Sequence, residues 1–112
     1  CSRSPCFLRR KEVGKMLIQW KQKEEIGIPH LNQGHGTVFA KMVSGRDWKA
    51  MISRMPVGTS IGRHTHRTSM EINFVCQGTG MAICDGVAEP LSEGICHICP
   101  VGSTHEIQNT GR

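Results

Sequence analysis

The sequence predicts an all-β protein. From Thr37 onward, short runs rich in β-branched and apolar residues recur at regular spacing, glycine-containing turns separate them, and no stretch shows a convincing helical period. Short strands in this arrangement are typical of a β-sandwich, a jelly roll or a barrel. The predicted fold class is therefore all-β.

Six runs are predicted to be strands: TVFAKMVS, WKAMISRMP, SIGRHTH, EINFVCQ, GMAICDG and GICHIC. The turns that separate or follow these runs contain Gly45, Gly58, Gly78, Gly86 and Gly102. Glycine adopts the positive φ that tight turns require, and Asp85-Gly86 is a strong signal for a two-residue hairpin loop. We therefore expect antiparallel pairing of neighbouring strands.

The chain divides into three segments. Residues 1–15 have no alternating or helical apolar pattern and do not resemble a secretory signal, so they are predicted to be a basic leader that is disordered or non-native. Residues 16–36 are predicted to be an N-terminal arm, with a helical turn or edge strand over 16–25 and a loop over 26–36. Residues 37–112 form the predicted domain. Since no signal peptide is recognised, we expect a cytoplasmic location.

Charge and hydropathy exclude two classes of partner. The formal net charge is +5, but five Lys and Arg residues against Glu12 alone lie in residues 1–15, so the predicted domain is nearly neutral. Two Trp, three Phe and no Tyr leave few aromatic side chains on which bases could stack, so we expect no nucleic-acid binding. No apolar run approaches the roughly 20 residues that cross a bilayer, so we expect no membrane partner.

Four of the six cysteines lie in apolar, strand-like runs: Cys76, Cys84, Cys96 and Cys99. A free cysteine in such a run behaves as a small buried hydrophobe, so we predict reduced core thiols. The spacing of Cys96 and Cys99 also matches half of a zinc knuckle. Residues three apart on a strand face opposite sides, however, and no second pair completes that site.

Four residues between Gly58 and Asn109 suggest a metal site: His64, His66, Glu71 and His105. Alternate residues of a strand share a face, so His64 and His66 can point at one atom. A turn after His66 would bring Glu71 back beside them, and a later strand would add His105. The His-x-His pair alone is equally compatible with surface histidines.

The spacing of further residues resembles the two motifs of the cupin superfamily. The first, G-x5-H-x-H-x4-E-x6-G, is matched by Gly58, His64, His66, Glu71 and Gly78. The second, G-x5-P-x-G-x2-H-x3-N, is matched by Gly94, Pro100, Gly102, His105 and Asn109. The fifteen residues between the motifs are typical of small single-domain bacterial members of the RmlC-like type.

This resemblance implies a cupin double-stranded β-helix, or jelly-roll barrel, with one divalent metal ion inside. The implied ligands are the three histidines and Glu71, while the glycines and Pro100 are turn residues and Asn109 is structural. Imidazole and carboxylate ligands suit iron, manganese, nickel, zinc or copper, and an octahedral ion would keep two positions open for a ligand. Family members usually continue with another strand, whereas this chain stops at Arg112, so we expect a barrel lacking its last C-terminal strand and a homodimer.

The fold does not decide the reaction, because cupins include enzymes and binding proteins. The first hypothesis is a metalloenzyme of dioxygenase, decarboxylase, isomerase or lyase type that acts on a small polar or carboxylated metabolite, with Glu71 as a candidate base. The alternative is a non-catalytic, metal-dependent binding or sensor domain. Asn73 is a candidate contact for substrate or for a metal ligand, or else a core amide, and Arg67 either meets an anionic substrate or is simply solvated.

Overall fold

The computed structural model describes residues 17–111 and contains nine strands. Their bounds are β1 Ile26–Pro29, β2 Thr37–Ser44, β3 Lys49–Arg54, β4 Ser60–Thr65, β5 Glu71–Phe74, β6 Gly80–Cys84, β7 Val87–Leu91, β8 Cys96–Cys99 and β9 Thr104–Gln108. Two short 3-10 turns, Trp20–Gln22 and Leu31–Gln33, flank β1. The predicted all-β class is confirmed, since the described residues form strands and turns.

The strands form three antiparallel sheets with the connectivity of a jelly roll. One sheet has the order β1-β2-β3, a second has the order β4-β9-β6-β7, and β5 pairs with β8 in a third. In each sheet all pairings are antiparallel. β9 lies between β4 and β6 although it follows both in the sequence, so the second cupin-like motif is brought beside the first.

The Asp85-Gly86 signal correctly predicts a two-residue hairpin. Cys84 pairs with Val87, and the two loop residues have φ of 50° and 84°, the left-handed values that a type I′ turn needs. The following strand, β7, was not among the predicted runs because Pro90 interrupts it. β7 is an edge strand of its sheet, where a residue without an N–H donor is tolerated.

The loop predicted over residues 26–36 is wrong for its first four residues. Ile26–Pro29 is strand β1, paired with β2 from Ile26↔Ala40 to Pro29↔Thr37. Glycine and proline suggested a loop, but tertiary pairing overrides these weak preferences, and Pro29 ends the strand. The predicted leader, residues 1–15, lies outside the described residues.

The core lies between the sheets and is small. Ala82, Leu91 and Ile107 are buried, and Met55, Ile61 and Val75 pack against them. The cysteine prediction holds only in part: Cys99 is fully buried and Cys84 half-buried, while Cys76 and Cys96 are exposed. Alternation along β8 explains the difference between Cys96 and Cys99, because these two residues lie on opposite faces of the strand and only the face of Cys99 is buried.

The turns of the two motifs are held by glycine geometry and by one asparagine. Gly58, Gly78, Gly94 and Gly102 all have φ between 86° and 93°, which side chains disfavour. Asn109 donates a hydrogen bond from its side-chain amide to the carbonyl of Met55 at 2.5 Å and accepts one from the Gly111 N–H at 3.0 Å. These contacts fix the end of β9, which carries His105.

No helix among residues 17–111 has the length and apolar character needed to span a bilayer.

Candidate metal centre

The structure brings the four predicted ligand residues together at one point. One potential ligand atom from each of His64, His66, Glu71 and His105 lies within 4.8 Å of the others. His105 Nε2 lies 3.1 Å from the Nε2 atoms of both His64 and His66. Glu71 Oε1 lies 3.1 Å from His66 Nε2, and its Oε2 lies 3.5 Å from His105 Nε2.

Two sheets supply these side chains. His64 on β4 is the direct cross-strand partner of His105 on β9. His66 follows β4 and is held by backbone hydrogen bonds, its N–H donating to the Ser103 carbonyl and its carbonyl accepting from the Gly102 N–H. Glu71 is the first residue of β5 and so belongs to the two-stranded sheet. The cluster therefore spans the space between the sheets.

A β-bulge in β4 places His64 on the inner face. Ile61 pairs with Ile107 and His64 with His105, so β4 advances three residues while β9 advances two. Ile61 packs against the core, and strict alternation would send His64 to the opposite face. The extra residue in the bulge reverses the parity. Arg63 is left outside, where its Nε lies 3.8 Å from Glu106 Oε1.

Hydrogen bonds at the far side of two rings aim their Nε2 atoms at the centre. His64 Nδ1 donates to the Gly62 carbonyl at 2.7 Å, and the Asn32 amide lies 3.2 Å from the same nitrogen. A neutral imidazole that donates through Nδ1 keeps its lone pair on Nε2. His105 Nδ1 is likewise engaged, 2.9 Å from His97 Nε2.

The cluster is closed on one side and open on the other. The side chain of His105 is 0% exposed, whereas that of Glu71 is 32% exposed. Burial lowers the pKa of His105 to about 4, and the neighbouring histidines add to this while the Glu71 carboxylate opposes it. His105 therefore stays neutral, as a metal ligand must be.

The donor set fits a divalent transition metal ion. Imidazole nitrogens and a carboxylate within a few ångströms of one another present converging lone pairs, which repel unless a cation or protons lie between them. The mixture of nitrogen and oxygen ligands suits iron, manganese, nickel, zinc or copper. The alternative zinc site, a zinc knuckle formed by Cys96 and Cys99, is wrong, because these two thiols face opposite sides of β8.

The two predicted accessory residues differ in their position. Asn73 lies beside the cluster, and its side-chain amide donates a hydrogen bond to Glu71 Oε2 at 2.6 Å. Arg67 lies in the exposed turn between β4 and β5. Asn73 thus supports the Glu71 carboxylate directly, while Arg67 lies outside the strands that carry the cluster.

The sequence motifs do not indicate the contact made by His97. His97 is buried, and its Nε2 lies 2.9 Å from His105 Nδ1. It lies opposite Asn73 in the β5–β8 pair, so it faces the same interior as Glu71 and Asn73. The register of β5 against β8 would have revealed this, and the sequence of β8 alone does not define that register.

Comparison with known proteins decides the family. The profile of the family described as the cupin domain matches residues 51–112. The chain belongs to the cupin family. Within the matched region lie both sequence motifs and all four residues of the cluster, so the resemblance predicted from the sequence is confirmed.

The sequence comparison and the structure comparison both find a match from Thermotoga maritima. An oxalate-binding protein is 33% identical over 58 residues, which are 52% of this chain and 48% of the relative, so the alignment spans about half of that protein. The crystal structure of a predicted oxalate decarboxylase superposes with a TM-score of 0.77 at 25% identity, covering 87% of this chain and 90% of that one.

A third structure, an RmlC-like cupin from Shewanella frigidimarina, matches with a TM-score of 0.64 at 18% identity over 81% of this chain and 77% of that one. At this identity the similarity supports the fold alone. The two solved structures thus share the fold of this chain.

Proposed function

We propose that this cupin binds one divalent transition metal ion through His64, His66, Glu71 and His105, and that the ion holds a small carboxylate. The observation that carries the proposal is the convergence of three Nε2 atoms and one carboxylate within 4.8 Å. Two of the rings are already oriented by hydrogen bonds at Nδ1. A bound ion would supply a Lewis-acidic centre with open coordination positions.

Oxalate is the ligand we propose to test first. Four protein ligands would leave two positions of an octahedral ion open, and a small dicarboxylate would be a suitable ligand for them. One carboxylate and three neutral imidazoles leave a divalent ion with net positive charge, which favours an anionic ligand. The descriptions of the Thermotoga maritima matches name the same compound.

The contacts of Glu71 favour a role as ligand over a role as base. Its Oε2 accepts the Asn73 hydrogen bond at 2.6 Å, and its Oε1 lies against His66. A general base needs a free lone pair within reach of the substrate proton. Asn73 would therefore act by holding Glu71, and Arg67, at the exposed turn, would attract an anion towards the open side.

Elemental analysis of protein purified without chelator tests the site. We expect near-stoichiometric metal in the parent and a large loss in His66→Ala and Glu71→Gln, because each removes one of four ligands. His35→Ala is the matched control, since His35 is exposed and bonds to Ser60 through its own backbone N–H and carbonyl, which alanine keeps. Full metal retention in both ligand variants would sink the proposed site. Calorimetric titration with oxalate, before and after metal removal, then tests the ligand.

A metalloenzyme that uses the same site is the second candidate, favoured by the structural similarity to the predicted oxalate decarboxylase. Protein reconstituted with each of the five metals would be incubated with oxalate under air, and formate and carbon dioxide would be measured. Metal-dependent turnover would establish the enzyme. Tight oxalate binding without any product would establish the binding protein.

We also propose that the cupin forms a homodimer. Ile72, Phe74 and Ile98 share the outer face of the β5–β8 sheet and are 59%, 62% and 51% exposed. Contiguous apolar surface of this kind is typical of an interface between copies. Light scattering coupled to gel filtration measures the solution mass, and a clean monomer at high micromolar concentration would contradict the proposal.

A further inference from the structure

A chain of polar contacts leads from the cluster to the protein surface through His97. His97 Nε2 lies 2.9 Å from His105 Nδ1, and the two rings are inclined by 23° with their centroids 5.1 Å apart. On its other side, His97 Nδ1 lies 3.3 Å from Glu89 Oε1 on β7. The contacts therefore link β9, β8 and β7 in one line.

The middle residue of this chain of contacts, His97, is buried with one ring nitrogen that lacks a hydrogen bond among the described residues. The side chain of His97 is 2% exposed. Its Nδ1 is the buried side-chain polar atom that lacks a well-directed hydrogen bond within residues 17–111. Leaving a buried polar group unsatisfied destabilises the folded state. The Glu89 carboxylate is half-exposed and close, so a small rotation would complete the bond.

A metal ion bound to His105 Nε2 would determine which nitrogen donates at each contact from His105 to Glu89. If His105 Nε2 binds an ion, its proton must reside on Nδ1, which then donates to His97 Nε2. His97 must accept at Nε2, so its own proton resides on Nδ1 and points at Glu89. A carboxylate, which only accepts, is the group required at the end of such a line.

We propose that His97 is a positioning residue that holds His105 in the Nδ1–H tautomer with its Nε2 aimed at the metal ion, and that Glu89 in turn orients His97. This inference rests on the proposed metal site. Partners of this kind fix ring orientation and raise the basicity of the ligand, and their loss typically weakens metal affinity about 10–100-fold.

Zinc titration of the full chain, with a competing chromophoric chelator, tests the role of His97. We expect His97→Leu, which removes the acceptor, to bind zinc about 10–100-fold more weakly than the parent. His97→Gln places a carboxamide oxygen near the former Nε2 and should recover most of the affinity. Thermal melts of the metal-free variants show whether each is folded.

A second pair of variants tests Glu89. Glu89→Ala should weaken zinc binding by a smaller factor than His97→Leu, because Glu89 contacts His97 and does not contact the ligand His105 itself. Glu93→Ala is the matched control, since Glu93 is an exposed glutamate shortly after β7. We expect Glu93→Ala to bind zinc like the parent.

Long-range proton–nitrogen correlation spectra of the zinc-loaded parent give a readout that a merely structural residue would not produce. We expect His105 and His97 both to carry their proton on Nδ1, with zinc on His105 Nε2. Protonation of His97 at Nε2 would overturn the proposal even if His97→Leu failed to fold. A folded His97→Leu with parental zinc affinity would also overturn it. Absence of zinc binding by the parent would instead defeat the proposed metal site, on which this inference depends.

Discussion

His105 is the cluster residue that water does not reach, and its burial has a consequence for acid stability. Its pKa lies at about 4 in the folded chain, against 6.5 for an ordinary histidine. Between these two pH values the unfolded chain binds a proton at this residue and the folded chain does not. The free energy of unfolding therefore falls as the pH falls through this window.

We expect the melting temperature of the metal-free protein to drop between pH 7 and pH 4.5. Scanning calorimetry after chelator treatment measures the drop. His105→Gln lacks this titration, so its melting temperature should fall less over the same range. Equal slopes for parent and variant would show that His105 does not cause the acid sensitivity.

The cysteines of β8 offer a second residue-scale prediction, because they lie three residues apart on opposite faces. Cys99 is fully buried, and burial raises the pKa of its thiol to about 11, so little reactive thiolate forms at neutral pH. Cys96 is exposed.

Alkylation by iodoacetamide, followed by peptide mass mapping, should therefore modify Cys96 and Cys76 in the native protein and leave Cys99 unmodified until a denaturant is added. Rapid labelling of Cys99 without unfolding would contradict its buried position. Because the three cysteines are mapped in the same digest, the extent of alkylation of each can be compared directly with that of the others.

At the scale of elements, the β4 bulge is the feature on which the site geometry depends. A Cβ added to Gly62 would lie 2.0 Å from the Asn32 carbonyl oxygen and 2.9 Å from the Gly34 N, both backbone atoms that cannot move independently. The loop over residues 30–36 therefore packs against the bulge only because residue 62 is glycine. His64 is oriented by the carbonyl of that same glycine.

Gly62→Ala should destabilise the protein by about 1–3 kcal/mol, as overpacking does, and should also weaken zinc binding because His64 loses its orientation. Denaturant unfolding and zinc titration measure the two effects. Gly27→Ala is the control, since a Cβ there would meet only side-chain atoms of Thr37 and Phe39, at 3.2 and 3.3 Å. If Gly62→Ala has the stability and zinc affinity of the parent, the loop over residues 30–36 can move to make room for the added Cβ.

Much of this architecture could be predicted from the sequence, and the exceptions have physical causes. The run at Thr37–Ser44 was predicted with its observed bounds, and the two motifs correctly indicated which four side chains meet. β1 was missed because its residues have little local preference for a strand, and pairing with β2 is what makes them extended. The bulge at Gly62 and the contact of His97 were missed because both depend on the register between strands that are distant in sequence.

At the scale of the whole molecule, the metal ion would act on stability as well as on ligand binding. Any ion that binds only the folded chain stabilises it by mass action, by about 2.7 kcal/mol when its free concentration is 100 times its Kd. For a domain of this size, that gain corresponds to a rise of roughly 10–20 °C in the melting temperature.

Zinc at such a concentration should therefore raise the melting temperature of chelator-treated protein by roughly this amount. Magnesium at the same concentration is the control, because it prefers oxygen ligands and keeps most of its water. Differential scanning fluorimetry measures both shifts. A zinc shift no larger than the magnesium shift would argue against a specific site.

The division of the cluster between two sheets gives the ion a mechanical role. Glu71 belongs to the β5–β8 sheet, while His64 and His105 belong to the four-stranded sheet. An ion bound to all of them would be a cross-link between layers that are otherwise held by a small core. The spacing of the two sheets and the occupancy of the site would then be coupled.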